Sequence, residues 1–413
     1  MADLEEKLCP VCFQEAMEHG ECRNCGYHAE ESSAVKDYLA PFTILKEKYL
    51  LGKSLGQGGF GITYLAENMQ SGLRCCIKEY FPSGLLQGRT PDGALILADE
   101  ENRPEYEEGK QQFIEEACAL QELRENISVV DILDFFEENG TAYFAMELIE
   151  GCNLRVFRKN HNPKQTLKMA LQMLFLLGSS LAEVHRFGMI HGDISPENIL
   201  ITQDGEIKLI DFGAARSFRQ GSDNKERKIY LKPNYAPYEQ YTQKPCQGPW
   251  TDIYALAATF YFIVSGRKML DALSRAKGAS YPPLHELCPA VSRQLSDVID
   301  KALAFDYHDR YRRMLDFLDA LEQVVRPEDY DIDLGALMPK SKASKQAEIH
   351  VETSDDSEKM CQVEEQNMPE PKRLAAFFHP KKRRLAYLEL TMRKSGGHIS
   401  RRRWIIEPNR TVK

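Results

Sequence analysis

A chain of 413 residues with 43% hydrophobic and 28% charged residues has room for a large catalytic domain and smaller appendages, and it is too long to read as one domain. Its longest apolar stretch, around Met169–Ala182, is broken by Gln172, Gly178 and two serines, which argues against a membrane span. The formal net charge of −9 hides an asymmetry: Lys372–Lys413 holds thirteen Lys/Arg against Glu389 and Glu407, so the remainder is about −20 by subtraction.

The N-terminus opens with acidic residues and cysteines, where a secretory leader needs basic residues and an apolar core, so export is not expected. Cys9-Pro10-Val11-Cys12 and Cys22-Arg23-Asn24-Cys25 are separated by nine residues, a spacing that lets four thiolates converge on one tetrahedral Zn2+. Residues 1–30 hold too little apolar surface to fold unaided, so the metal would supply folding energy. Four Cys ligands leave no open coordination position, which makes such a zinc structural or partner-binding rather than catalytic. Redox or disulfide cysteines are the competing reading, and His19 and His28 are weaker ligand candidates. The other seven of eleven cysteines are scattered, as in a reducing cytoplasm. Residues 31–48 read as a linker.

Residues 49–325 form the large middle region. Short β-like runs at Tyr49–Leu55, Ile62–Ala66 and Arg74–Lys78 are separated by glycine turns. Helical periodicity follows at Gln111–Leu123, strand character at Val129–Phe136 and Tyr143–Glu147, and a long helix at Lys164–Arg186. Mostly helical pattern continues to Val325. The expectation is an α+β, two-lobed fold, β-rich then α-rich.

Gly56-Gln57-Gly58-Gly59-Phe60-Gly61 satisfies G-x-G-x-x-G, in which glycine allows close backbone approach to phosphates. The residues that follow read as a strand rather than a helix, so the loop is a hairpin lid and not a dinucleotide turn. Lys78, on the third strand, is spaced to reach the α- and β-phosphates of ATP. Its carboxylate partner is expected on the next helix, at Glu116 with Glu115 as fallback. His191-Gly192-Asp193-Ile194-Ser195-Pro196-Glu197-Asn198 is followed, thirteen residues after Asn198, by Asp211-Phe212-Gly213. Asp193 can accept a hydroxyl proton, while Asn198 and Asp211 supply hard oxygens for Mg2+ or Mn2+.

From Tyr49 to about Val325 these motifs resemble the protein kinase superfamily. Gly58-Gly59-Phe60-Gly61-Ile62-Thr63-Tyr64, Lys78-Glu79-Tyr80-Phe81-Pro82 and Gly248-Pro249-Trp250-Thr251-Asp252-Ile253-Tyr254-Ala255-Leu256 are similar to bacterial serine/threonine kinases. The resemblance implies transfer of the γ-phosphate of ATP to protein hydroxyls, with autophosphorylation. It places Met146 at the gatekeeper position and Glu147–Ile149 at the adenine hinge. It also pairs Glu239 with Arg310 and has Asp252 anchor the catalytic-loop backbone. A pseudokinase serving as a nucleotide-binding scaffold is the alternative.

Two departures bear on catalysis. Gly192 replaces the arginine that commonly reads a phosphorylated activation segment, so phosphorylation at Ser217, Ser222 or Tyr230 is not expected to be obligatory. Ser195 replaces the catalytic-loop lysine, while Lys232 stands where a threonine is usual. An exchange of roles would keep a positive charge beside the transferring phosphate; an exposed loop lysine is the plainer reading of Lys232.

Residues 326–371 are polar and low in aromatics, and read as a disordered linker. Residues 372–413 form a basic tail that could bind an acidic surface, anionic lipid or nucleic acid, or remain solvated. Strand-like runs at Leu385–Leu390 and Arg403–Val412 resemble the opening of a truncated forkhead-associated domain. The bacterial character of the kinase motifs argues against a nuclear signal at Pro380–Arg384. Protein substrates, and a protein partner for the zinc module, are the expected partners.

Overall fold

The computed structural model describes residues 8–14, 16–29, 37–58, 61–123, 126, 128–212, 231–242 and 246–338, with the backbone alone at 216–217, 391–393 and 399–401. The cysteine-rich head is a knuckle around a two-residue hairpin, Met17–Glu18 (β1) with Glu21–Cys22 (β2).

The N-lobe is a six-stranded antiparallel sheet. Ile44–Leu45 (β3), Tyr49–Gly58 (β4), Gly61–Asn68 (β5) and Leu73–Tyr80 (β6) pair in sequence order, and β6 then pairs with Thr141–Glu147. Between β6 and the first long helix, Leu86–Arg89 (β7) and Leu95–Leu97 (β8) form a hairpin that the sequence reading did not foresee. Ile132–Glu138 (β9) closes the edge against Thr141–Glu147 (β10).

The long helix, Arg103–Glu122 (α1), starts eight residues before the expected Gln111. Its first two turns hold five charged residues and Tyr106 as their one large apolar side chain, which obscures the period, yet Pro104 sets the helical φ at the start. Tyr106, Phe113, Ala117 and Leu120 line the buried face.

Residues 37–48 are not a free linker. Leu39 and Leu45 are buried in the same apolar cluster as Tyr49, Leu51, Tyr64 and Ile77, and the Leu39 N–H donates to the Tyr64 hydroxyl. The N-lobe sheet therefore begins before Tyr49. Residues 30–36 lie outside the described residues.

In the C-lobe, Pro163–Arg186 (α2) opens with a capping box between Asn162 and Gln165. By length and apolarity it could cross a membrane, but its apolar face packs on Pro249–Ser265 (α3) and Met314–Glu322 (α4) as a core helix. A methyl at Gly178 would meet Leu318 at 2.7 Å, so glycine sets the close α2–α4 approach. Helix α3 is buried nearly all round and ends at Gly266, whose φ of 76° makes the left-handed stop.

The lobe does not end at Val325: Leu334 and Met338 are buried in its core, so the described start of the 326–371 segment is packed. The remainder of that segment, and the side chains of the basic tail, lie outside the described residues. Within 353–413 the described backbone is one antiparallel ladder, Thr391–Arg393 with Ile399–Arg401.

Candidate active site

Gly151–Asn153 (β11), Ile199–Thr202 (β13) and Ile207–Leu209 (β14) make a small sheet, and Met189–Ile190 (β12) pairs with Arg216–Ser217 (β15). The catalytic loop hangs between β12 and β13, and Asp211 follows β14. Asp252, on α3, is fully buried and accepts from the backbone N–H of His191 and of Gly192, each at 2.9 Å, and bonds His185 Nε2 at 2.8 Å. Burial opposes its charge, and these partners hold its carboxyl below the ordinary range. The loop is thus fixed from beneath, as the resemblance implies. The His191 ring lies 4.3 Å from that of Phe212, and burial pushes His191 down to about 4, so it is a neutral ring at pH 7.

Asp193, Ser195, Asn198 and Lys232 converge. Asn198 Nδ2 donates at 2.9 Å to both the carbonyl and Oδ2 of Asp193. Lys232 Nζ lies 3.0 Å from Asp193 Oδ2 and 2.9 Å from Ser195 Oγ. Ser195 is fully buried and its short side chain leaves room for the ammonium. Burial lifts the Asp193 carboxyl to about 6, against the opposing pull of Lys232. A small, partly open recess beside Asp193 is lined by Gly192, Ile194, Lys232, Tyr235, Ala236 and Gln240 among others.

Lys78 reaches the site from β6, where its Nζ pairs with Asp211 Oδ1 at 2.7 Å. That ammonium, more than any other neighbour, holds the Asp211 carboxyl well below the usual range. The expected pair with Glu116 is not formed. Burial pushes Glu116 up to about 8, Lys78 only partly offsetting it, and Glu116 Oε1 is buried without a hydrogen-bond partner. A lone ammonium facing both groups gains more from Asp211, which keeps its charge, than from a carboxyl that burial favours as the neutral acid. Glu115, the fallback, is exposed and accepts from Gln111 at 3.1 Å.

Within the phosphate loop, Gly56, Gly58 and Gly61 are described, while Gly59 and Phe60 lie outside the described residues, as do Gly213, Ser222, Tyr230 and the Ser217 side chain. A methyl at Gly61 would fall 2.2 Å from the Glu79 carbonyl, so the β5–β6 approach demands glycine there; at Gly58 nothing lies within 4 Å. At the hinge, Met146 sits opposite Cys76 and Ile149 is buried. The Glu147 side chain turns to Lys208 Nζ at 2.8 Å, leaving only its backbone for a ligand. Asp211 and Asn198 offer hard oxygens, with Lys78 and open space at Gly58 nearby, so the donor set fits a magnesium nucleotide. The buried ion pair of Arg310 and Glu239 at 2.7 Å holds the end of the activation segment.

One cluster escaped the sequence reading. Glu79, adjacent to Lys78 and fully buried on the opposite face of the sheet, accepts from Tyr64 at 2.9 Å, Tyr143 at 2.7 Å and both terminal nitrogens of Arg89, the first at 2.9 Å. Arg89 also donates to the carbonyls of Asp37 and Gly93. The signal available was strand alternation: if Lys78 faces the cleft, Glu79 faces the core and must find a cation.

The knuckle brings the Sγ atoms of Cys9, Cys12, Cys22 and Cys25 within 4.8 Å of one another, with no disulfide. A tetrahedral zinc with Zn–S of about 2.3 Å implies S···S edges of about 3.8 Å, and the observed Cys9–Cys25 and Cys12–Cys22 separations are 3.6 Å. N–H groups of Val11 and Cys25 donate to Cys9 and Cys22 sulfur. The four-thiol set therefore fits a closed metal site.

The chain matches the protein kinase domain family over residues 49–319, more than half its length. It is similar to serine/threonine-protein kinase F of Synechocystis, 31% identical over 65% of this chain and 53% of that protein. It is also similar to serine/threonine-protein kinase PrkC of Bacillus subtilis, 28% identical over 64% of this chain and 38% of that protein. The chain spans about half the length of the first curated relatives it matches. Among solved structures, the apo form of PpkA-294 superposes with a TM-score of 0.58 at 34% identity, covering 69% of this chain and all of that one. With that match added to the buried Asp252 anchor, the Asp193–Asn198 loop and the Lys78–Asp211 pair, the chain belongs to the protein kinase domain family.

Proposed function

We propose that this chain is an ATP-dependent serine/threonine protein kinase that phosphorylates protein substrates and itself in bacterial signalling. The observation that carries the reading is the ammonium of Lys232 lying within 3.0 Å of both Asp193 and Ser195. It restores a cation where the loop has lost one.

In this mechanism Lys78 holds the α- and β-phosphates, and the backbone from Gly56 to Gly61 covers them. Asp211 and Asn198 would hold Mg2+ or Mn2+, which neutralises charge on the phosphoryl oxygens when bound. The acceptor hydroxyl oxygen bonds the γ-phosphorus as the bond to the β,γ-bridging oxygen breaks and ADP leaves. Asp193 takes the hydroxyl proton, and Lys232 keeps positive charge beside the transferred group. The main-chain atoms of Glu147 and Ile149, beside Met146, accept the adenine edge. With Asp211 given to the metal, Glu116 would be the carboxylate left to orient Lys78.

The four cysteines hold a structural zinc, and a cytoplasmic location suits their reduced state. No observation favours the scaffold alternative. Incubating the full-length protein with Mg2+ and γ-labelled ATP tests the assignment: label should appear on serine or threonine and vanish in Asp211→Ala. Label that persists in that variant, or none in the wild type, would overturn it.

A further inference from the structure

The cysteine knuckle sits on the kinase sheet at the strand that feeds the phosphate loop. In β4 the register against β5 shifts between Leu51 and Ser54, and within that irregular step the Lys53 N–H donates to the carbonyl of Pro10 at 2.9 Å. Gly52 lies so close that a methyl there would fall 2.2 Å from Pro10 O and 2.8 Å from the ring of Phe13. Phe13 is 6% exposed, and Lys53 Nζ stands 5.9 Å from the centre of the Tyr27 ring.

Each of these contacts comes from a residue whose position depends on the thiol cluster. Pro10 lies between Cys9 and Cys12, Phe13 directly follows Cys12 with a φ of 57°, and Tyr27 follows Cys25 by two residues. The Phe13 N–H bonds the Cys9 carbonyl, and the Cys22 N–H bonds the Tyr27 carbonyl. A head this small keeps such a conformation through its metal. Three residues beyond Lys53 the chain reaches Gly56.

We propose that metal occupancy of the four-cysteine site controls the phosphate loop: the loaded knuckle clamps Gly52–Lys53, and the metal-free knuckle releases them and weakens nucleotide binding. The control acts on the kinase site proposed above and rests on that reading. A metal that opens no coordination position thus acts on the reaction from outside the cleft.

The test uses the full chain, as purified with zinc and after a zinc-selective chelator that leaves Mg2+ in place. Hydrogen exchange of the 51–58 backbone and calorimetric titration with MgATP are read together. Zinc removal should raise exchange at 51–58 and weaken MgATP binding at least threefold, and added Zn2+ should restore both. Gly52→Ala should keep one zinc per chain, show the same weakened binding and respond no further to the chelator. Exchange at 51–58 that ignores zinc, or MgATP affinity that stays within error in chelated protein and in Gly52→Ala alike, overturns the proposal. A zinc-loaded wild type that binds no MgATP would instead strike the kinase reading, and the exchange result would still decide the clamp.

Discussion

Two glutamates flank the strand that carries Lys78, and they are treated in opposite ways. Glu79 is fully buried behind β6, yet both of its oxygens are engaged by Arg89 and two tyrosines. Glu116, in front of the strand on α1, has a buried oxygen with no partner and a pKa that burial raises to about 8. The first is a finished network tying β5, β6, β10 and the β7–β8 hairpin together. The second is unfinished, which costs stability and leaves an unpaired buried carboxyl on the face that Lys78 presents to the cleft.

The comparison breaks most readily at Glu79. Glu79→Ala strands the Arg89 guanidinium in the core, and loss of one partner of a buried pair costs about 3–5 kcal/mol. Thermal unfolding should fall by about 10 °C or more, with β7–β8 amides losing exchange protection. An unchanged melting temperature would show that the network is not a lock.

At Glu116 the expected loss is in rate. Glu116→Gln should slow phosphoryl transfer about 10- to 100-fold, or about 1.4–2.7 kcal/mol of barrier, without lowering the melting temperature. Its stability effect carries a sign. The native carboxyl titrates near 8 and the unfolded one near 4.5, so the native state retains a proton that the unfolded chain has released. This group's contribution is therefore lost as pH rises from about 4.5 to about 8. Glu116→Gln should gain stability relative to wild type across that window, and calorimetry at pH 5 and pH 8 reads the difference directly.

Asp193 sharpens the contrast inside the cleft. Burial lifts it to about 6 despite Lys232, so kcat/KM should fall on the acid side with a limb near pH 6. Lys232→Ala removes a charge that lowers this value, and its residual activity should show the limb at higher pH. The smallest effect is expected in the activation segment, where Ser217→Ala, Ser222→Ala and Tyr230→Phe should each leave turnover within about twofold, because Gly192 supplies no charge to read a phosphate. A tenfold loss in any of them would reverse that view.

Much of the site was legible from sequence because its chemistry is carried by residue type and spacing. His191 to Asn198 and Asp211-Phe212 stand at fixed distances whatever surrounds them. The strands around 49–55, 62–66, 74–78 and 143–147 and the helix at 164–186 followed from residue pattern and apolar period. The β7–β8 hairpin was harder to read: Pro91-Asp92-Gly93 signals a turn and Ala94–Leu97 is apolar, but Leu86-Gln87-Gly88-Arg89 has no strand period, and its place depends on Arg89 reaching a carboxylate ten residues back. Residues 37–48 looked like a linker because the apolar run Tyr38–Leu45 is broken by Pro41 and Thr43 and shows neither a strand nor a helix period; only the sheet gives Leu39 and Leu45 a core to enter. The choice of Asp211 over Glu116 by Lys78 depends on relative desolvation, which no spacing encodes.

If Lys232 supplies the charge that Ser195 lacks, its removal must cost rate rather than binding. Single-turnover transfer from γ-labelled ATP should be measured on wild type, Lys232→Ala and the exchanged double variant Ser195→Lys/Lys232→Thr, alongside MgATP affinity. Lys232→Ala should lose at least about 100-fold in rate with affinity nearly kept, and the double variant should recover substantially. Lys232→Ala working at the wild-type rate would contradict that role for Lys232.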